Sequence, residues 1–86
     1  MTRIEVCDFF REKIAQETGA EISQINNDQN FGDLGLDSVN SVFIMEEIEN
    51  LLKISLNPIL FWDYPTIDQF VDHILANQKN YSPGKK

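Results

Sequence analysis

The sequence has one cysteine, Cys7, and one histidine, His73, and that scarcity removes whole classes of chemistry. A lone thiol makes no internal disulfide, and without a second cysteine or a nearby histidine it supplies no metal site. Cys7 fits a reducing compartment, where it serves as a small apolar residue. Cations are scarce as well: seven Lys and Arg stand against fourteen Asp and Glu, for a net charge of −7. Phosphate backbones and anionic lipid surfaces repel such a chain, so nucleic acid and membrane are excluded and basic protein surfaces are the expected partners. No apolar run nears the ~20 residues of a membrane span, and the opening MTRIEVCDFF lacks a charged-then-apolar signal layout. The expected location is cytoplasmic. With 86 residues the chain holds one domain and one modest core, too little for most folds that must also wall a reaction off from water. A monomeric, non-catalytic protein is the expectation.

Glycine and proline are few, and all of them fall between periodic segments: Gly19, Gly32, Gly35 and Gly84, with Pro58, Pro65 and Pro83. They punctuate four segments. Thr2 and Glu5 have capping-box spacing, and Cys7, Phe10 and Ile14 recur at helical intervals until Gly19, which predicts a first helix over 3–18. A long connection, 20–37, carries Ile22, Ile25, Phe31, Leu34 and Leu36 at intervals that pin it to the core, and connections of this length are commonly functional. A second helix is predicted over 38–53, with Asp37 as N-cap. Asn57-Pro58 opens a short helix that Tyr64-Pro65 ends, and Thr66 caps a last helix over 67–77 with Ile67, Phe70, Val71 and Ile74 on one face. No segment alternates with period two, so the fold class is all-α: a small bundle of three main helices plus one short helix, with a long first loop. The domain is assigned to 1–78, and the polar residues 79–86 to a disordered tail.

On the second helix, Ile44, Met45, Ile48, Leu51 and Leu52 point one way and form the core stripe. At about 100° per residue, Val39, Phe43, Glu46 and Asn50 point the other way. One exposed valine is ordinary. Phe43 beside Val39, ringed by Glu46, Glu47 and Glu49, has the form of an anchor inside a charged rim.

Three chemistries suggest themselves around FGDLGLDSVNS, residues 31–41. The first makes Ser38 a hydrolytic nucleophile, but GLDSV puts Val39 where the nucleophile elbow needs glycine, and no strand precedes it. His73, on the last helix, is tied to Ser38 by nothing in the sequence. The second makes the loop a calcium site, since Asn26, Asp28 and Asn30 match the first three ligand spacings of an EF-hand; Phe31 then replaces the required glycine, and Asp37 the long bidentate glutamate. No metal site is expected. Asn80-Tyr81-Ser82 matches a glycosylation acceptor, but Pro83 follows it and chance accounts for it. The third makes Ser38 a residue modified by another enzyme. A helix N-terminus offers free N–H groups and the positive end of the macrodipole, so a phosphate there is favoured. Against it stands the plain view that Asp37 and Ser38 only cap a helix.

The motif LGLDSV at 34–39, followed 26 residues after Ser38 by YPTI at 64–67, resembles the acyl carrier proteins, most closely the carrier domains of polyketide synthases. The resemblance covers about residues 4–76, and the joint motif is specific where an Asp-Ser pair alone is weak. It implies that Ser38 bears a 4′-phosphopantetheine arm, installed from coenzyme A by a phosphopantetheinyl transferase, whose thiol holds acyl or polyketide intermediates as thioesters. Leu36, Asp37 and Val39 then lie next to the cofactor. The second helix becomes the recognition face, with Val39, Val42, Phe43, Glu46 and Glu47 meeting partners: an acyl-loading ligase or acyltransferase, and a ketosynthase or other synthase domain. Phe43 departs from fatty-acid carriers, which often have an acid near that position. Carriers of peptidyl and aminoacyl type usually have Gly-Gly before the x-Ser, where this chain has Gly35-Leu36-Asp37, and fatty-acid carriers usually lack YPT. These two remain alternatives, with a non-covalent acidic adaptor as a third. Phe61 and Trp62 match apolar core positions of the family and are expected in the core, with a place in the wall of a pocket near the arm as the lesser option.

Overall fold

The computed structural model describes residues 2–77; the tail assigned to 79–86 lies outside the described residues. Among these residues the chain forms α1 (Arg3–Thr18), a 3₁₀ turn (Ile22–Gln24), α2 (Ser38–Leu52), a short α3 (Leu60–Asp63) and α4 (Ile67–Ala76), with no strand. None of these helices is long and apolar enough to cross a membrane.

Each helix starts where the side-chain chemistry dictates. Thr2 and Glu5 close a reciprocal capping box at α1, with the Thr2 N–H donating to Glu5 Oε1 at 2.8 Å. This holds the Glu5 carboxyl below the usual range, chiefly through that backbone N–H. Gly19 ends α1 in the left-handed conformation, at φ 78°. Lys53 ends α2 one residue earlier than predicted, also left-handed at φ 59°. At Asn57 the side-chain Oδ1 accepts from the Ile59 N–H at 3.0 Å and the carbonyl from Leu60 at 3.0 Å. Asn57-Pro58 therefore builds the turn into α3 rather than its first helical residues.

The core joins α1, α2 and α4, with Val6, Phe10, Ile14, Ile48, Ile67 and Val71 fully buried. Four of the six phenylalanines form its centre: Phe10 from α1, Phe31 from the loop, Phe61 from α3 and Phe70 from α4. Every pair lies within 6.1 Å, centroid to centroid, the closest being Phe31–Phe61 and Phe61–Phe70 at 4.9 Å. Mostly tilted and edge-to-face pairs at these distances add to the burial itself. Cys7 is buried against this core, which pushes its thiol up and keeps it unreactive.

The long loop is tied to the α3–α4 junction by backbone bonds. Phe31 N–H donates to Pro65 C=O at 2.8 Å, Asn30 and Thr66 form an isolated antiparallel bridge, and Asp68 N–H donates to Asn27 C=O at 3.0 Å. Ile25 and Phe31 are buried and Leu34 and Leu36 pack against the core, as their spacing predicted. Ile22 is a correction: it sits in the 3₁₀ turn and is exposed. Across the bundle, Arg3 holds α1 to α4 through Asp68 (2.7 Å) and Asp72 (2.5 Å).

Candidate functional site

Ser38 is the first residue of α2, and it is exposed. Two local features bring it there. Gly35 adopts φ 90°, a value open to glycine at little cost, and turns the chain into Leu36-Asp37. Asp37 then caps the helix: its Oδ1 accepts from the Val39 and Asn40 N–H groups at 2.9 Å each, while Asn40 Oδ1 accepts from the Asp37 N–H at 2.9 Å.

That cap corrects one expectation. The amides at the start of α2 are not all free, because Asp37 already occupies those of Val39 and Asn40. A phosphodiester on Ser38 would be favoured by the macrodipole acting through space, next to the Asp37 carboxylate, rather than by capture of those two amides.

Ser38 stands on the rim of an open groove of about 320 Å³ between α2, the end of the loop and α3. Leu36, Val42, Pro58, Phe61 and Trp62 give it apolar walls. Phe61 is buried as expected, but Trp62 is 76% exposed. The reason is angular: successive helical residues diverge by about 100°, so a four-residue helix that buries Leu60 and Phe61 turns Trp62 outward. The pocket-wall option for Trp62 therefore holds, and the core placement does not. Pro58 and Pro65, read from the sequence only as punctuation, also line the groove.

The outer face of α2 is as the helical wheel predicts. Val39, Val42 and Phe43 are exposed, Phe43 at 52%, with Glu46, Glu47 and Asn50 beside them, while Ile44, Met45 and Ile48 are buried. α2 contains three glutamates and no lysine or arginine. Lys13 of α1 lies 3.6 Å from Glu47 and over the Phe9 ring, at one side of a hollow of about 140 Å³ that Phe43, Glu17 and Glu46 also line. Glu47 is thus partly neutralised from within the chain, and Glu46 is left as the freer acid of the pair.

The other candidate chemistries find no such convergence. His73 stacks on Tyr64 at 4.1 Å, in a different environment from Ser38. In the loop, Asn26 N–H donates to Gln29 Oε1 and Asn30 bridges to Thr66, so the EF-hand spacing serves a packed turn. Among the described residues no three His, Cys, Asp or Glu side chains group to hold a metal ion.

A small helical bundle that offers an exposed serine at a helix start, on the rim of an apolar groove and beside an acidic, aromatic-tipped helix face, defines a carrier-type domain. Residues 8–74 match the family described as the phosphopantetheine attachment site. The chain belongs to that family, whose members carry covalently attached 4′-phosphopantetheine. Its sequence is 35% identical over 71 residues to a non-reducing polyketide synthase of Aspergillus terreus, a match covering 81% of this chain and 3% of that protein. It is also 43% identical over 54 residues to the atrochrysone carboxylic acid synthase of Passalora fulva, covering 63% and 3%. The chain thus spans about 3% of the length of these curated relatives. In structure it is similar to a free-standing peptidyl carrier protein of Acinetobacter baumannii: TM-score 0.82, 32% identity, 88% of this chain and 95% of that one.

Proposed function

We propose that Ser38 is the attachment residue and that the protein is a non-catalytic acyl carrier of polyketide type. The observation that carries this reading is the exposed Ser38 at the first position of α2, capped by Asp37 and opening onto an apolar groove. The residues present fit the group: the hydroxyl is reachable, and the helix end favours the single negative charge of a phosphodiester. Loading is the work of a phosphopantetheinyl transferase. The Ser38 hydroxyl gives up its proton and bonds to the phosphorus next to pantetheine in coenzyme A, while the pyrophosphate P–O bond breaks and adenosine 3′,5′-bisphosphate leaves.

The bound arm supplies a flexible thiol able to hold an acyl group as a thioester. Cys7, buried with its thiol pushed up, is unsuited to that task. This chain's residues do the rest. Asp37 fixes the first turn of α2, Leu36 and Val39 flank the attachment point, and Val39, Val42, Phe43, Glu46 and Glu47 form the face that a loading ligase or acyltransferase and a ketosynthase or related domain would meet. Their acidic rim suits basic partner surfaces.

Curated relatives that are polyketide synthases support the polyketide assignment. The likeness to a free-standing peptidyl carrier favours, as a second reading, a peptidyl or aminoacyl cargo on the same arm. Loading the protein from acyl-coenzyme A with a promiscuous transferase tests the function: a hydroxylamine-labile acyl adduct, absent from Ser38→Ala, is expected. A non-covalent adaptor would instead bind its partner equally well with Ser38→Ala.

A further inference from the structure

Lys13 of α1 reaches across to the outer face of α2, where its Nζ lies 3.6 Å from Glu47 Oε1. Its side chain is only 23% exposed, which is low for a lysine. The ammonium also lies over the ring of Phe9, one helical turn earlier, at 5.1 Å from the centroid. Two contacts therefore hold it in place, and the pair with Glu47 loses less side-chain freedom than one between two free surface residues.

The glutamates of α2 differ in what each already touches. Glu49 Oε2 accepts from the Leu56 N–H at 2.7 Å and so holds the connection to α3. Glu47 faces Lys13. Glu46 is exposed and makes no ion pair among the described residues, and the same is true of Glu17 on α1. Both line the hollow of about 140 Å³ where α1 meets α2, together with Lys13, Glu47 and the half-exposed Phe43. At the ~30 Å³ a water-sized group takes in a liquid, about five such groups fit, the size of a guanidinium. An aromatic face next to unpaired carboxylates attracts a cation, and arginine suits it better than lysine because its planar fork stacks on a ring while it hydrogen-bonds to carboxylates.

We infer that Lys13 sets how a partner reads α2: it neutralises Glu47, so that an arginine on the partner's surface is directed into the hollow, against Glu46, Glu17 and the ring of Phe43. Lys13 can act in this way only if Ser38 is the attachment residue and α2 the docking face, as proposed above. Glu47 then meets a partner as half of an internal pair, and α1 contributes to recognition as well as α2.

A charge-deletion cycle tests this, read as kcat/KM for loading from coenzyme A by a promiscuous phosphopantetheinyl transferase, once added mass on the wild-type chain is confirmed. Glu46→Gln is expected to lower kcat/KM about threefold, the scale of one exposed ion pair, while Glu47→Gln leaves it nearly unchanged. Lys13→Gln should raise kcat/KM about threefold, and in that background Glu47→Gln should return it to the wild-type value. These differences should shrink between about 0.1 M and 1 M salt, as the Debye length falls from ~10 to ~3 Å. Lys53→Gln changes the net charge equally from the end of α2 and should leave Glu47→Gln silent.

Glu47→Gln as harmful as Glu46→Gln in the wild-type chain overturns the inference, as does a Lys13→Gln background in which Glu47→Gln stays silent, or the same unmasking by Lys53→Gln. No added mass on the wild-type chain overturns attachment at Ser38 and the inference with it; confirmed mass without this coupling overturns the inference alone. Calorimetric binding of the transferase to the unloaded Ser38→Ala chain repeats the cycle without the reaction. Its Kd should follow the same order, and a Kd that Glu46→Gln does not move counts against the hollow as the docking point.

Discussion

Phe31 donates its backbone N–H to the carbonyl of Pro65 at 2.8 Å, and this bond, beside the Asn30–Thr66 bridge and the Asp68–Asn27 bond, ties the long loop to the α3–α4 junction. It places the ring of Phe31 in the aromatic cluster and, with Gly32, Leu36 and Asp37, along the groove. The position of Ser38 relative to α3 is therefore set by the loop as much as by α2.

Gly35 should tolerate no side chain without cost. A β-carbon there meets nothing closer than Thr18 Cγ2 at 3.8 Å, so space is not the issue. The penalty lies in φ 90°, which an L-residue adopts at a cost of about 1 kcal/mol or more. Urea unfolding of Gly35→Ala is expected to show a loss of that size with an unchanged m-value.

Asp37→Ala leaves the Val39 and Asn40 amides without their partner, and the loss of an N-cap costs about 1 kcal/mol. Asp37→Asn should recover most of that, since the amide oxygen accepts in the same place. Thermal melts of the two variants beside wild type check the order.

Phe10 and Phe43 should behave oppositely. Phe10→Ala removes a ring from the centre of the core, at a cost of about 3–5 kcal/mol. Phe43→Ala changes a half-exposed side chain, so stability should stay within about 0.5 kcal/mol. The expected effect of Phe43→Ala is instead on recognition: kcat/KM for loading by a phosphopantetheinyl transferase falls by about tenfold. An unchanged rate would remove Phe43 from the docking face.

The Arg3 clamp predicts one part of the acid response. Arg3 hydrogen-bonds to Asp72 and holds its carboxyl below the usual aspartate range. A carboxyl lowered on folding contributes stability above its unfolded value, about pH 3.9, and that contribution is lost as the pH falls through the lower folded value. Both groups are largely exposed, so the effect is small and salt-sensitive. Arg3→Gln should flatten the acid limb of stability against pH below about pH 4 and leave the curve near neutrality little changed in shape.

Much of this was legible in the sequence, for reasons that differ by residue. Thr2, Asp37 and Thr66 act through side-chain bonds to amides two or three positions away, and such local chemistry survives any tertiary context. The apolar intervals of α1 and α4 and the exposed Phe43 follow from helical period alone. Trp62 was hidden because a four-residue helix shows no period to read, and adjacency to Phe61 suggested a shared fate that geometry forbids. The groove was hidden for a related reason: its walls come from the loop, α2 and α3, joined through the Phe31–Pro65 bond, which leaves no trace in sequence spacing. Ile22 had the right interval for the core but falls in a tight turn that carries it outward.

The measurement that bears most directly on the central claim is intact-protein mass spectrometry after incubation with coenzyme A and a promiscuous phosphopantetheinyl transferase, on wild type and on Ser38→Ala checked for helicity by circular dichroism. One added phosphopantetheine per wild-type chain and none on Ser38→Ala is the expected result. Addition that persists in Ser38→Ala, or no addition to the wild-type protein, would contradict it.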